Sequence, residues 1–160
     1  MDQEDIVKRT CCVTGHRHIP PEAAKYVMQR LREEVSKAIA EGFTRFLSGY
    51  AAGVDQLFVQ AVMEEMDEHP EIHLEAALPY RKRFQQLMYH PDTKYLLLAA
   101  VDRYYACETY APGCFQIRNR YMVDESARVI AVHDERKTGG TAATLRYAEV
   151  KGRDVRKIEM

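Results

Sequence analysis

The 160-residue sequence has no surplus of either charge, no apolar run of membrane-spanning length, no Cys-x-x-Cys pair and no low-complexity segment. Each absence excludes something. The 23 Lys and Arg against 24 Asp and Glu leave a formal net charge of -1. Nucleic-acid binding over a whole surface draws its affinity from many Lys/Arg–phosphate contacts, so this balance disfavours such a partner. Local basic groups remain at Arg81-Lys82-Arg83 and at Arg118 and Arg120. A transmembrane helix needs about 20 consecutive apolar residues, and none occur, so no membrane partner is expected. The opening MDQEDIVKRT is acidic and lacks the apolar core of a signal peptide, which sets the expectation of a cytoplasmic protein. The four cysteines, Cys11, Cys12, Cys107 and Cys114, do not fit a zinc ribbon or a thioredoxin-type site. Cys11 and Cys12 lie in an apolar run and read as reduced, buried packing residues.

What is present is an alternation of short apolar runs with longer periodic ones, on a length that suits a single domain over 1–160. TCCVTG (10–15) reads as a strand running into a glycine. Pro20-Pro21 open a helix in which Val27, Leu31, Val35 and Ile39 recur at helical spacing, and Gly42 stops it. TRFLS (44–48) is a second strand, and Val54 to Met66 carry the next amphipathic face. IHLEAALP (72–79) is a third strand, ended by Pro79. RKRFQQLMYH reads as a short helix, DTKYLLLAAV (92–101) has helical length, and RYYACE (103–108) looks like a strand. FQIRNRYMVDES (115–126) follows the APGC loop as a helix with Ile117, Tyr121 and Met122 facing inward. ARVIAVHD (127–134) is the clearest strand, followed by a glycine turn with a helix over 139–152 and a last strand over 153–159. This alternation implies an α/β fold with a mostly parallel sheet and helices on both faces. Such sheets bind ligands beyond the carboxyl ends of their strands. The informative residues are therefore Gly15-His16-Arg17, Ser48 to Asp55, Pro79-Tyr80-Arg81 and Lys137 to Thr141.

In KTGGTAAT (137–144), Gly139 and Gly140 let the backbone approach a ligand, and the free N–H groups of the following helix suit phosphate. Thr141 either caps that helix or donates its hydroxyl to the anion. A plain cap after a flexible turn explains the same residues equally well. SGYAAGVD (48–55) offers a second small-residue turn through Ser48, Gly49 and Gly53, in which Asp55 accepts from ribose hydroxyls, caps its helix or orients an arginine. Neither turn is the dinucleotide fingerprint G-x-G-x-x-G or a Walker A loop, which excludes ordinary NAD dehydrogenases and P-loop NTPases. In TGHRHIP (14–20), Arg17 can clamp a phosphate. His16 and His18 lack a third ligand, so a polar contact or proton-transfer group is favoured there over zinc, and no metal is expected. Arg118 shares a helical face with Met122 and is either a surface charge or a second phosphate clamp.

Several of these segments resemble a known superfamily. SGYAAGVDQLFVQAV is similar to the S-G-x-A-x-G-[IV]-D segment of the DprA (Smf) DNA-processing family. RNRYM and TGGTAAT resemble the R-K-x-x-M and P-G-G-x-G-T segments of the LOG "lysine decarboxylase-like" family. Both belong to the SLOG superfamily of Rossmann-like nucleotide-binding domains. The resemblance is strongest to its YpsA-like branch, through TGHR (14–17), GYAAGVD (49–55), LPY (78–80), RNRYMVD (118–124) and GGT (139–141). It spans nearly the whole chain and implies a Rossmann-like, doubly wound domain.

The resemblance implies a nucleotide-derived ligand held by Gly15, His16, Arg17, Ser48, Gly49, Gly53, Asp55, Pro79, Tyr80, Arg118, Asn119, Gly139, Gly140 and Thr141. A sensor or carrier role follows, with no separate cofactor. The alternatives are a LOG-like hydrolase of an N-glycosidic or phosphoester bond and DprA-like single-stranded DNA binding. For the hydrolase, the family arginine falls on Arg118, whereas the family glutamate position falls on Arg146. Asp55 is then the catalytic candidate beside Arg118, and Asp124 a further carboxylate that could substitute. Relatives of this kind often pair, so a homo-oligomer is expected.

Overall fold

The computed structural model describes all 160 residues. A short helix α1 (Gln3–Lys8) precedes β1 (Thr10–Thr14) and α2 (Pro21–Ala40). Then come β2 (Arg45–Ser48), α3 (Val54–Glu65), β3 (His73–Tyr80), α4 (Lys82–Tyr89) and α5 (Pro91–Leu97). The chain finishes with β4 (Ala100–Cys107), α6 (Cys114–Asp124), β5 (Arg128–His133), α7 (Gly140–Val150) and β6 (Asp154–Glu159). The helix α1 has no counterpart in the apolar periodicity. It buries no residue and is held by its Asp2 cap, whose carboxylate accepts from the Asp5 amide at 2.9 Å.

All strand pairs are parallel, in the order β4-β3-β2-β1-β5-β6. The chain steps outward from β1 to β4, then returns to place β5 on the other side of β1. Loops leaving β1 and β5 therefore diverge, which opens a crevice at their carboxyl ends. This is a Rossmann-like α/β architecture. The β1 strand is buried along its whole length, which is why TCCVT reads as an unbroken apolar run. Cys11 and Val13 join the larger core under α2 to α5, while Cys12 joins the smaller one under α6 and α7. All four cysteines are free, and burial pushes the Cys12 thiol up to about 12, so it is an inert packing group.

Three details depart from the sequence expectations. Pro79 does not end the third strand, which runs on through Tyr80. The β2 pairing of β3 stops at Ser48↔Ala76, so no β2 neighbour requires an N–H from Pro79. The helix anticipated over 92–101 stops at Leu97, because Ala100 and Val101 already belong to β4. On α6 the buried stripe is Cys114, Arg118 and Met122, at i, i+4 and i+8, and it leaves Ile117 47% exposed. An arginine occupies the position that hydrophobic counting assigned to isoleucine.

Candidate functional site

Four strand-end loops and the start of α6 meet at the β1/β5 crevice. The first two loops lock onto each other. At Gly53, φ is +82°, and a Cβ there would lie 2.5 Å from the carbonyl oxygens of both His16 and Arg17. The Val54 N–H donates to the His16 carbonyl at 3.2 Å. A Cβ on Gly15 would meet the Val54 side chain at 2.5 Å. Gly15 and Gly53 thus admit the contact between the two loops, while Ala51 of the same turn borders the crevice. Gly49 is equally tight, since a Cβ would fall 2.5 Å from Arg118 Nη1 and 2.9 Å from Asp55 Oδ2.

The same turn positions Asp55. Ser48 is fully buried and its hydroxyl donates to the Asp55 carbonyl at 3.1 Å while accepting from the Tyr50 amide at 3.2 Å. Tyr50 sits at φ +57°, a left-handed conformation uncommon for a side-chain-bearing residue. Its ring is buried in the core and its hydroxyl donates to the Leu96 carbonyl at 3.1 Å. That anchor turns the Ala51 amide toward Asp55 Oδ2, at 3.2 Å. Asp55 does not cap α3, since Gly53 holds that place. Its carboxyl is 7% exposed, and burial raises it to about 6 despite the opposing pull of Arg118.

Arg118 is 5% exposed, so it is not a surface charge. Its Nη1 donates to the carbonyls of Gly49 at 2.9 Å and Ala77 at 3.3 Å, and its Nε to Asn119 Oδ1 at 2.9 Å. Burial pushes its pKa down, while the Asp55 carboxylate works the other way. Guanidinium stays charged under any such shift. Asp55 and Arg118 thus form a buried acid–cation neighbourhood at the crevice wall, without ion-pair contact.

The second glycine turn behaves differently. Gly139 is the N-cap of α7 at φ +99°, and a Cβ there would meet nothing within 4 Å. For Gly140 the nearest atom is Asn119 Nδ2 at 4.0 Å. This turn faces open space, so the first amides of α7 are accessible from the crevice. Thr141 is not the cap; it lies inside the first turn, 8% exposed, and lines the crevice.

The crevice is a cavity of about 420 Å³, bounded by Gly15, His16, Arg17, Asp55, Arg118, Asn119 and Gly139 to Thr141 among others. A side chamber of about 230 Å³ brings in Gly49, Pro79, Tyr80 and Arg83. Ser48 and Gly53 line neither and act through the backbone they shape. His16 Nε2 lies 3.3 Å from Asp134 Oδ1, and burial lowers the histidine's pKa. Asp134 is pulled down to about 2, chiefly by its hydrogen bonds from Arg136. His18 also lines the crevice, but no trio of metal-ligating groups forms there; the one such grouping is Glu65, Glu68 and His69 at the C-terminal end of α3. Asp124 lies outside the crevice, tied to the Tyr147 hydroxyl at 2.7 Å, and supplies no carboxylate to it.

Sequence reasoning missed Phe115, Arg83 and Arg136 as site residues. Phe115 borders both chambers, with the guanidinium of Arg17 over its ring at 5.2 Å and that of Arg118 at 5.7 Å. Tyr80 and Tyr110 meet each other edge-on at 5.6 Å and extend this aromatic wall. Its only sequence signal is an aromatic placed just after the loop that opens α6.

Comparison with known proteins agrees with the fold. The profile described as the YspA SLOG family (YpsA) matches residues 11–159. The SPbeta prophage-derived protein YoqJ of Bacillus subtilis is 28% identical over 141 residues, covering 76% of this chain and 82% of the relative. The UPF0398 protein BH1768 of Halalkalibacterium halodurans is 25% identical, covering 86% of this chain and 73% of its own. Among solved structures, DNA processing protein A from Helicobacter pylori, known for a single-stranded DNA binding mode, shares the fold with a TM-score of 0.65 at 19% identity. That match covers 97% of this chain and 66% of the Helicobacter chain. The protein TM1055 matches with a TM-score of 0.58 at 17% identity, over 92% of this chain and 72% of that one. No helix here is long and apolar enough to cross a membrane. The profile covers nearly every residue from β1 to β6, and the chain belongs to the YspA SLOG family, the YpsA-like branch of the SLOG superfamily.

Proposed function

We propose that this chain binds a phosphate-bearing, nucleotide-derived ligand in the β1/β5 crevice and acts as a sensor or carrier of it. One observation carries the reading: the open amide end of α7 faces the same 420 Å³ cavity as Arg17 and Arg118. Unsatisfied amides, the positive end of the helix dipole and two guanidinium groups all favour an anion there. Phe115 offers a stacking face for a base, and Asp55 an acceptor for sugar hydroxyls. The test is thermal unfolding against mononucleotides, dinucleotides and nucleotide sugars, with mass analysis of any small molecule carried through purification. A ligand selective for the folded state raises its stability by about 2.7 kcal/mol at 100 times Kd. Silence across the whole panel, with nothing co-purified, overturns the proposal.

A second reading rests on Asp55. A buried carboxyl at about 6 is poised for general acid–base chemistry near neutral pH, as cleavage of an N-glycosidic or phosphoester bond requires. It predicts release of free base or phosphate that Asp55→Asn abolishes. Substrates recovered intact after long incubation with excess protein remove it.

A further inference from the structure

The arginines of this chain divide by partner. Away from the crevice most are neutralised: Arg30 by Glu33, Arg32 by Glu64, Arg45 by Glu75, and Arg128 by Glu41 and Asp154. Arg17, Arg83, Arg118, Arg120 and Arg146 have no carboxylate within ion-pair distance, and all five line adjoining cavities. Elsewhere only Arg9, Arg103 and Arg153 lack such a partner. Of these, Arg103 lies against the Phe84 ring at 4.3 Å and Arg153 donates to the carbonyls of Val123 and Asp124.

The unpaired five are held by neutral groups. Arg120 lies 5.1 Å from the Tyr147 ring centre, Arg146 Nη1 donates to the Lys137 carbonyl at 2.9 Å, and Arg83 Nη1 to Gln86 Oε1 at 3.3 Å. Their remaining donors are free. Asp55 is the one carboxylate lining these three cavities, so the five cations repel one another, and a polyanion relieves that repulsion.

The cavities these arginines line adjoin one another through shared walls. A groove of about 690 Å³ between α6 and α7 carries Arg120 and Arg146, and no carboxylate borders it. It shares Phe115, Asn119, Gly139 and Gly140 with the crevice, so it begins where the phosphate cradle ends. Phe115 borders the groove, the crevice and the side chamber holding Arg83. A single phosphate at the start of α7 leaves the outer groove and its two cations unused.

We infer that the ligand consists of at least two nucleotide units joined through phosphate, crossing Phe115 and placing its second unit in the α6–α7 groove against Arg120 and Arg146. This rests on the nucleotide reading above and names the class of ligand for it. A free dinucleotide and a stretch of single strand share the required chemistry. A base in the groove stacks on the Arg120 guanidinium plane, and the linking phosphate passes over the diglycine turn.

The test measures binding of adenosine monophosphate, 5′-phosphorylated diadenylate and a labelled oligothymidylate of ~10 nucleotides. The native chain is compared with the double variant Arg120→Ala/Arg146→Ala and with Arg17→Ala, each checked for unchanged circular dichroism. Diadenylate should bind the native chain roughly tenfold more tightly than the monophosphate. The double variant should lose that gain, keep its monophosphate affinity, and show a salt slope shallower by about 1.4 for the oligonucleotide. Arg17→Ala should weaken all three probes. Affinity rising beyond two units assigns the site to a strand, and a plateau at two assigns it to a free dinucleotide. Equal binding of monophosphate and diadenylate, with the double variant neutral, overturns the inference while the nucleotide reading stands. No binding of any probe overturns both.

Discussion

Replacing Asp55 by Asn should make the protein more stable at pH 7.5. The Asp55 carboxyl is nearly fully buried and sits at about 6, against 3.8 when unperturbed. A raised folded-state value favours the protonated form in the fold. Its stabilising contribution is therefore complete below the unfolded pKa and disappears as pH rises through the folded one. Between pH 4 and pH 7 the ionised carboxylate costs the folded state roughly 3 kcal/mol, at 1.36 kcal/mol per unit. Asn keeps the size and an oxygen for the Ala51 amide, and carries no charge to desolvate. For a domain of this size the gain corresponds to an upper bound of ~6–12 °C in Tm. The assay is thermal unfolding of both forms from pH 3.5 to 8. The difference should vanish near pH 3.5, grow through the interval 4 to 6, and level off above it. Under the nucleotide reading, ligand affinity should fall in the same variant, because Asn offers sugar hydroxyls fewer acceptor sites than a carboxylate. A variant less stable than native at pH 7.5, or a difference flat in pH, would refute the reasoning; Asp55 would then be a fully ionised partner of Arg118.

Three further outcomes follow from the turn geometry. Gly53→Ala should destabilise the fold by several kcal/mol in denaturant titration, since its Cβ would strike two backbone carbonyls at 2.5 Å from a positive φ. Gly139→Ala, whose Cβ meets nothing but whose φ of +99° and ψ of 178° suit glycine almost alone, should cost about 1–3 kcal/mol in the same titration while weakening any phosphate ligand. Tyr50→Phe should cost about 0.5–1.5 kcal/mol in thermal or chemical unfolding, because it removes the hydroxyl's bond to the Leu96 carbonyl, which keeps the Ala99 amide as a donor.

Much of the candidate site was legible along the chain because parallel α/β topology sends ligand loops to one rim, and strand ends can be recognised from apolar runs that stop at glycine. His16, Arg17, Asp55 and Thr141 were reached that way, Asn119 through the superfamily resemblance, and all five line one cavity. The two glycine turns looked chemically alike, yet one packs against protein and the other stands open. A glycine's neighbours come from distant segments, so no local pattern separates these cases. Ile117 was assigned inward because hydrophobicity usually decides helix orientation. The α6 helix instead turns Arg118 toward the carbonyls of Gly49 and Ala77, whose acceptors satisfy the buried guanidinium.

By itself the sequence determined the alternation of strands and helices, hence the parallel sheet, and the superfamily motifs that mark its strand ends, because both depend on periodicities within a few neighbouring residues. Tertiary structure alone decided which side of β1 receives β5, and so where the crevice opens. It also decided that arginines from positions 17, 83, 118, 120 and 146 line cavities meeting around Phe115, and that Asp55 is buried enough to raise its carboxyl to about 6. Desolvation and long-range charge are sums over atoms brought together by folding, and no stretch of chain carries them in advance.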